Sequence, residues 1–124
     1  MDTAEHAYDR EVLMDRVESD TELIKMLVEV FESDRPKLLG DIESALDADD
    51  AEALERAAHT IKGALGVFGA EPARVRAERL EFVGREGMVA DGKREYPDLK
   101  EAVLGLEVEL KKLVEELNGG SPAA

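Results

Sequence analysis

The sequence predicts an all-α fold, an antiparallel four-helix bundle with a short additional N-terminal helix. No segment alternates apolar and polar residues with period two over a useful length. Apolar residues recur instead at three-to-four spacing nearly end to end. The apolar content is mostly Leu, Val and Ala with only five aromatic residues, a composition suited to helices. At 124 residues the chain is long enough for one domain with a single core.

The elements follow in order. A short first helix is expected over about 8–17, "YDREVLMDRV". Ser19 or Asp20 can cap a long second helix reaching about Leu46, with Leu23, Leu27, Val30, Phe31, Leu38, Ile42 and Ala45 on its apolar face. Pro36 falls inside that helix, where a kink or the loss of one hydrogen bond is expected. "DADD" at 47–50 is a turn, and Asp49 or Asp50 caps a third helix over about 50–69. Pro72 suits the first turn of a fourth helix running to about Arg85. The glycine-rich stretch 84–96, "GREGMVADGKREY", reads as a loop. Pro97 then opens a last helix with the stripe Leu99, Val103, Leu106, Leu110, Leu113 and Leu117. The expected organisation is a disordered N-terminus at 1–7, the bundle at 8–117 and a flexible tail at 118–124.

Composition excludes several functions. The chain has no cysteine, so disulfides, zinc–thiolate sites and a cysteine nucleophile are absent. A net charge of −14 disfavours nucleic acid and anionic membrane as partners. No apolar run approaches a membrane span and the N-terminus is not a signal peptide, so a cytoplasmic location and a monomer are expected. The charge is uneven. Residues 56–85 carry six basic side chains against three acidic ones, a net +3, which leaves −17 for the rest.

The third helix holds "AAHTIKGALGVFGA" at 57–70, with three glycines after His59. A glycine inside a helix costs about 1 kcal/mol relative to alanine. At about 100° per residue, Leu54, Ala57, Ile61, Ala64, Leu65 and Phe68 point away from His59 and form the core face. Lys62, Gly63, Gly66 and Ala70 lie within roughly 60° of His59, as do Glu52, Glu55 and Arg56. Nothing inside the bundle explains Gly63 and Gly66 on that outward face, whereas close approach by an external partner does. Gly69 lies off the face, and helix packing or a C-cap accounts for it. An exposed imidazole is a competent nucleophile, a phosphoryl group on it brings about two negative charges, and Lys62 is placed to neutralise part of them.

These residues resemble the signature of histidine phosphotransfer (HPt) domains of two-component phosphorelays, His-x-x-Lys-Gly followed by five residues and a Gly. Here those positions are His59, Lys62, Gly63 and Gly69. The similarity extends from about residue 8 to 117 and is nearest to modules of hybrid sensor kinases. It implies that His59 accepts a phosphoryl group from a receiver-domain aspartyl phosphate and passes it to another receiver's aspartate. Lys62 then assists by charge, Gly63, Gly66, Arg56 and Glu55 serve receiver docking, and Gly69 is structural. The implied partners are receiver domains or a hybrid histidine kinase. No cofactor is implied on this chain, since Mg²⁺ is expected on the receiver, and the domain is a relay intermediate rather than a kinase. The alternative is the phosphoacceptor domain of a chemotaxis-type histidine kinase, which "VFG" at 67–69 resembles and whose donor is ATP. A metal enzyme is disfavoured, because bundle sites of this kind take a Glu-x-x-His pair from each of two helices, whereas Glu55 and His59 are four apart and the other histidine, His6, lies near the N-terminus. A bundle that only binds partners remains as the reading without phosphochemistry.

Overall fold

The computed structural model describes residues 6–119, which form five α-helices and no strand among the described residues. They are α1 (Arg10–Arg16), α2 (Thr21–Asp47), α3 (Ala51–Val67), α4 (Glu71–Arg85) and α5 (Val89–Leu117). Helices α2 to α5 pack in sequence, and α2 also packs on α5, which closes a ring of four around one core. Each helix contributes one stripe: Ile24, Val28 and Ile42 from α2, Leu54, Ile61 and Leu65 from α3, Ala77 and Leu80 from α4, and Leu99 to Leu110 from α5. Leu13 and Val17, from α1 and its end, plug one end of the bundle. There the rings of Phe31 and Phe68 meet edge to face, centroids 5.5 Å apart.

One device makes all four connections. The residue after each C-cap takes a left-handed conformation: Glu18 (φ 52°), Asp49 (φ 52°), Gly69 (φ 65°) and Gly87 (φ 73°). Its amide and the next one bond back into the last turn, as Gly69 N–H does to Gly66 O (3.1 Å) and Ala70 N–H to Leu65 O (3.2 Å). This is the Schellman closure, and it satisfies carbonyls that a helix end leaves orphaned. The following helix starts at once. Asp9, Asp20 and Asp50 cap α1, α2 and α3 by accepting from the amides of Val12, Leu23 and Ala53.

Several expectations change. Asp20 is the cap of α2, while Ser19 sits in the turn with φ 59°. Helix α2 runs on through Pro36, whose exposed position lets water serve the carbonyl that the missing N–H leaves free. Helix α3 ends at Val67, two residues short of the expected 69, because Gly69 is its closing residue. Ala70, expected beside His59, is therefore fully buried as the N-cap residue of α4. Ala57 and Ala64, expected in the core, are half-buried at its edge, and Ala58 is inside instead. The largest difference is the expected loop at 84–96. The turn needs only Glu86, Gly87 and Met88, and α5 starts at Val89, not at Pro97. Val89, Gly92 and Tyr96 extend the buried stripe N-terminally by two turns, and exposed Pro97 is accommodated inside the helix. The expected disordered 1–7 and flexible 118–124 fall largely outside the described residues, at 1–5 and 120–124. Among the described residues no helix is long and apolar enough to cross a membrane.

Two glycines read as loop punctuation are packing positions. A Cβ at Gly92 would lie 3.1 Å from Leu54 and 3.2 Å from Leu46. At Gly84 it would lie 2.7 Å from the backbone nitrogen of Glu55 and 3.0 Å from the carbonyl of Ala51. Backbone cannot yield as a side chain does, so Gly84 sets how closely α4 approaches α3. Gly84→Ala is expected to destabilise the fold by ~2 kcal/mol through forced separation. Gly105→Ala, at an open mid-helix position with nothing within 4 Å, is expected to stabilise it by ~0.5–1 kcal/mol. Urea unfolding monitored by circular dichroism measures both.

Candidate functional site

The close approach of α3 and α4 brings His59 onto a carboxylate. His59 stands on the outward face of α3 with its side chain 68% exposed, and its Nδ1 lies 2.8 Å from Oε2 of Glu81 on α4. Glu81 is only 9% exposed, and its other oxygen takes the Lys62 ammonium at 2.6 Å. A terminal nitrogen of Arg85 lies 3.5 Å from Oε2. Burial works to raise the Glu81 carboxyl's pKa, but hydrogen bonds from Lys62 and then His59 outweigh it and hold the group below the usual carboxylate range. Glu81 is therefore ionised at neutral pH.

An ionised carboxylate only accepts hydrogen bonds, so Nδ1 of His59 carries the proton and donates it. The neutral ring then holds its lone pair on Nε2, the nitrogen away from Glu81. Fixing one imidazole nitrogen by a carboxylate selects the tautomer and orients the ring. The arrangement supplies an exposed, oriented nitrogen nucleophile with a compensating negative charge beneath it.

The structure brings together His59 and Lys62, with Gly63 beside them. A Cβ on Gly63 would meet nothing within 4 Å, so that side of the histidine is open. Gly66 is half-exposed, and the Arg74 side chain approaches to 4.0 Å of where its Cβ would lie. Arg56 is exposed, 3.9 Å from Glu52. Glu55 is partly covered by Arg85, whose Nε donates to it at 3.1 Å. Gly69 is off this face, and in addition to its left-handed φ a Cβ there would lie 3.1 Å from Val12 and 3.2 Å from Asp9.

The basic patch read from 56–85 is neutralised in three dimensions. Besides Lys62, Arg56 and Arg85, Arg74 pairs with Glu71 at 2.6 Å, Arg76 with Asp98 at 3.4 Å and Arg79 with Glu95 at 3.0 Å. Carboxylates from α5 cover part of what looked like a positive field. Lys62 likewise is committed to Glu81 rather than free beside the histidine.

Sequence reasoning missed Glu81, which it treated only as one charge in a run. A signal was present: Ala73, Ala77, Leu80 and Gly84 define the inward stripe of α4, and Glu81 projects about 40° from its edge. A carboxylate among core positions needs partners, and α3 presents two.

Comparison with known proteins bears on the family and the fold. The model of the Hpt domain family matches residues 26–120. The fold superposes on the crystal structure of histidine-containing phosphotransfer protein B from Pseudomonas aeruginosa PAO1 with a TM-score of 0.84. The match covers 91% of this chain and 98% of that one at 23% identity, a likeness of fold. Among curated proteins no sequence relative is found. With the family model spanning most of a four-helix bundle that presents an exposed, carboxylate-backed histidine, the chain belongs to the Hpt domain family, the histidine phosphotransfer domains of two-component relays.

Proposed function

We propose that this domain accepts a phosphoryl group on Nε2 of His59 from the aspartyl phosphate of a receiver domain and passes it to the aspartate of another. The observation that carries this reading is the exposed His59 ring held by Glu81 at 2.8 Å. In the forward step the Nε2 lone pair attacks phosphorus, the N–P bond forms, and the bond from phosphorus to the aspartyl oxygen breaks. That oxygen leaves with the electron pair as carboxylate. Nδ1 keeps its proton, and the positive charge gained by the ring is paired with Glu81. The return step reverses these roles. Mg²⁺ and the main stabilisation of the metaphosphate-like transition state come from the receiver. On this reading Lys62 is a positioning residue that keeps Glu81 charged, and Gly63 leaves room for the receiver. Gly66, Arg56 and Glu55 border the docking face. The domain works as a soluble cytoplasmic monomer without kinase activity of its own.

Three outcomes test the reading. Phosphate transferred from a phosphorylated receiver should be acid-labile and base-stable, and absent from His59→Gln. ATP and Mg²⁺ alone should leave the protein unlabelled. Label persisting in H59Q would assign the chemistry elsewhere.

Gly63→Leu should lower receiver-to-histidine transfer by at least tenfold. Its reaction with a small donor such as phosphoramidate, measured by mass spectrometry, should stay near the parent's. An equal loss with both donors would mean that Gly63 serves the histidine itself rather than docking.

Glu81→Gln should slow transfer, and it also changes acid stability in a defined direction. A carboxyl whose native pKa is depressed stabilises the fold above its unfolded value, near 4.5, and loses that contribution as pH falls through the native value. The parent should therefore exceed E81Q in stability at pH 7, and the gap should shrink below about pH 4.5, as followed by thermal unfolding across pH.

A further inference from the structure

Two cations reach Glu81, one at each carboxylate oxygen, and they are held very differently. Lys62 is 25% exposed and among the described residues has Glu81 as its one carboxylate, at 2.6 Å. Arg85 is 53% exposed and divided between two acids. Its Nε lies 3.1 Å from Glu55, and its terminal nitrogen lies 3.5 Å from the same Glu81 oxygen that binds the His59 ring. One carboxylate oxygen is all that separates this guanidinium from the imidazole. Withdrawing Lys62 would strip a buried carboxylate of its closest cation, a strongly unfavourable change. Withdrawing Arg85 from Glu55 breaks a part-exposed pair of small value and leaves Lys62 and His59 on Glu81.

We propose that Arg85 is the residue that responds when His59 is loaded. Its guanidinium leaves Glu55 for the phosphoryl oxygens, Lys62 stays on Glu81, and Glu55 becomes an unpaired carboxylate on the docking face. This rests on the phosphoryl-acceptor reading of His59. A phosphoryl group carries about twice the charge of a carboxylate and offers three acceptor oxygens, which suits the planar fork of arginine. The exchange links the loading of His59 to the charge that a partner meets, since Glu55 is covered by Arg85 in the unloaded protein and bare in the loaded one. The charged groups on the faces meeting at the ring are Glu55, Arg56 and Lys62 of α3 and Glu78, Glu81 and Arg85 of α4.

The test loads His59 with phosphoramidate, in which N–P forms on Nε2, the donor's own P–N bond breaks, and ammonia leaves. The second ionisation of the phosphohistidine is then followed by ³¹P NMR across pH. A cation at the phosphoryl group lowers that midpoint. Arg85→Gln should raise it by roughly 0.3–1 pH unit, and Glu55→Gln should lower it by a smaller amount by freeing Arg85. The double variant should match Arg85→Gln alone, because Glu55 acts through Arg85. Arg85→Lys, which keeps the charge, should fall between parent and Arg85→Gln and carries the comparison if the Gln variant is unstable. An unmoved midpoint in both Arg85 variants, an E55Q shift that persists without Arg85, or a larger shift from Lys62→Gln than from Arg85→Gln would overturn the proposal. If the parent forms no phosphohistidine, the reading of His59 falls and this inference with it. An adduct whose titration ignores Arg85 overturns this inference alone.

Discussion

A single buried carboxylate organises this molecule's functional face. Glu81 points from α4 toward α3 and is almost closed off from water, so its charge must be met by hydrogen-bond donors. Lys62 and His59 supply them from one face of α3. The same contacts tie the two helices together, keep Glu81 ionised and assign the proton of the imidazole to Nδ1. Stability and chemistry are inseparable here. Removing either partner leaves a buried charge less compensated, and removing Glu81 leaves a lysine and a histidine with no fixed acceptor.

That contact exists because the backbones come close. Gly84 lies one turn beyond Glu81 and has no room for a Cβ against the backbone of Glu55 and Ala51. A bulkier residue would hold α4 away from α3 and lengthen the bond between Glu81 and His59. Gly63 has the opposite surroundings, with nothing near its missing side chain. The absent side chain at Gly84 admits a neighbouring helix of the same bundle. At Gly63 the space it leaves faces solvent, next to the nucleophile. Gly69 and Gly87 do a third thing, supplying the left-handed residue that ends α3 and α4. One residue type thus serves internal packing, external access and chain reversal, and only its surroundings tell these apart.

The difference also governs how much was legible in the sequence. The four-helix bundle follows from periodicity, since each helix must bury one stripe and α2 to α5 each carry one. The His59 face follows from angular projection within α3, because that geometry is local. The start of α5 did not follow, because Gly84, Gly87 and Gly92 look alike in sequence, while Gly87 alone breaks the helix and the other two are packed against neighbours. Glu81 did not follow because its partners are 19 and 22 residues away on another helix. The apparent basic patch failed for the same reason. Its counter-charges include Glu95 and Asp98, which join it only when α5 folds back along α4. What lies within one helix could be read, and what depends on the distance between two could not.

A relay intermediate must hold a phosphoryl group firmly enough to survive and loosely enough to give it up. Free cations beside His59 would stabilise the loaded state without regard to the transition state, and uniform stabilisation of that kind slows the onward step. In this structure neither Lys62 nor Arg85 is free: the first is bound to a buried acid and the second is shared between two. Any attraction they offer a phosphoryl group is reduced by what must be given up at Glu81 or Glu55. On the proposed reading, the acidic partners of the site's cations are what keep the phosphoryl group transferable. The net charge of the body points the same way, since −14 disfavours accumulation of further negative charge except where a partner brings its own metal ion.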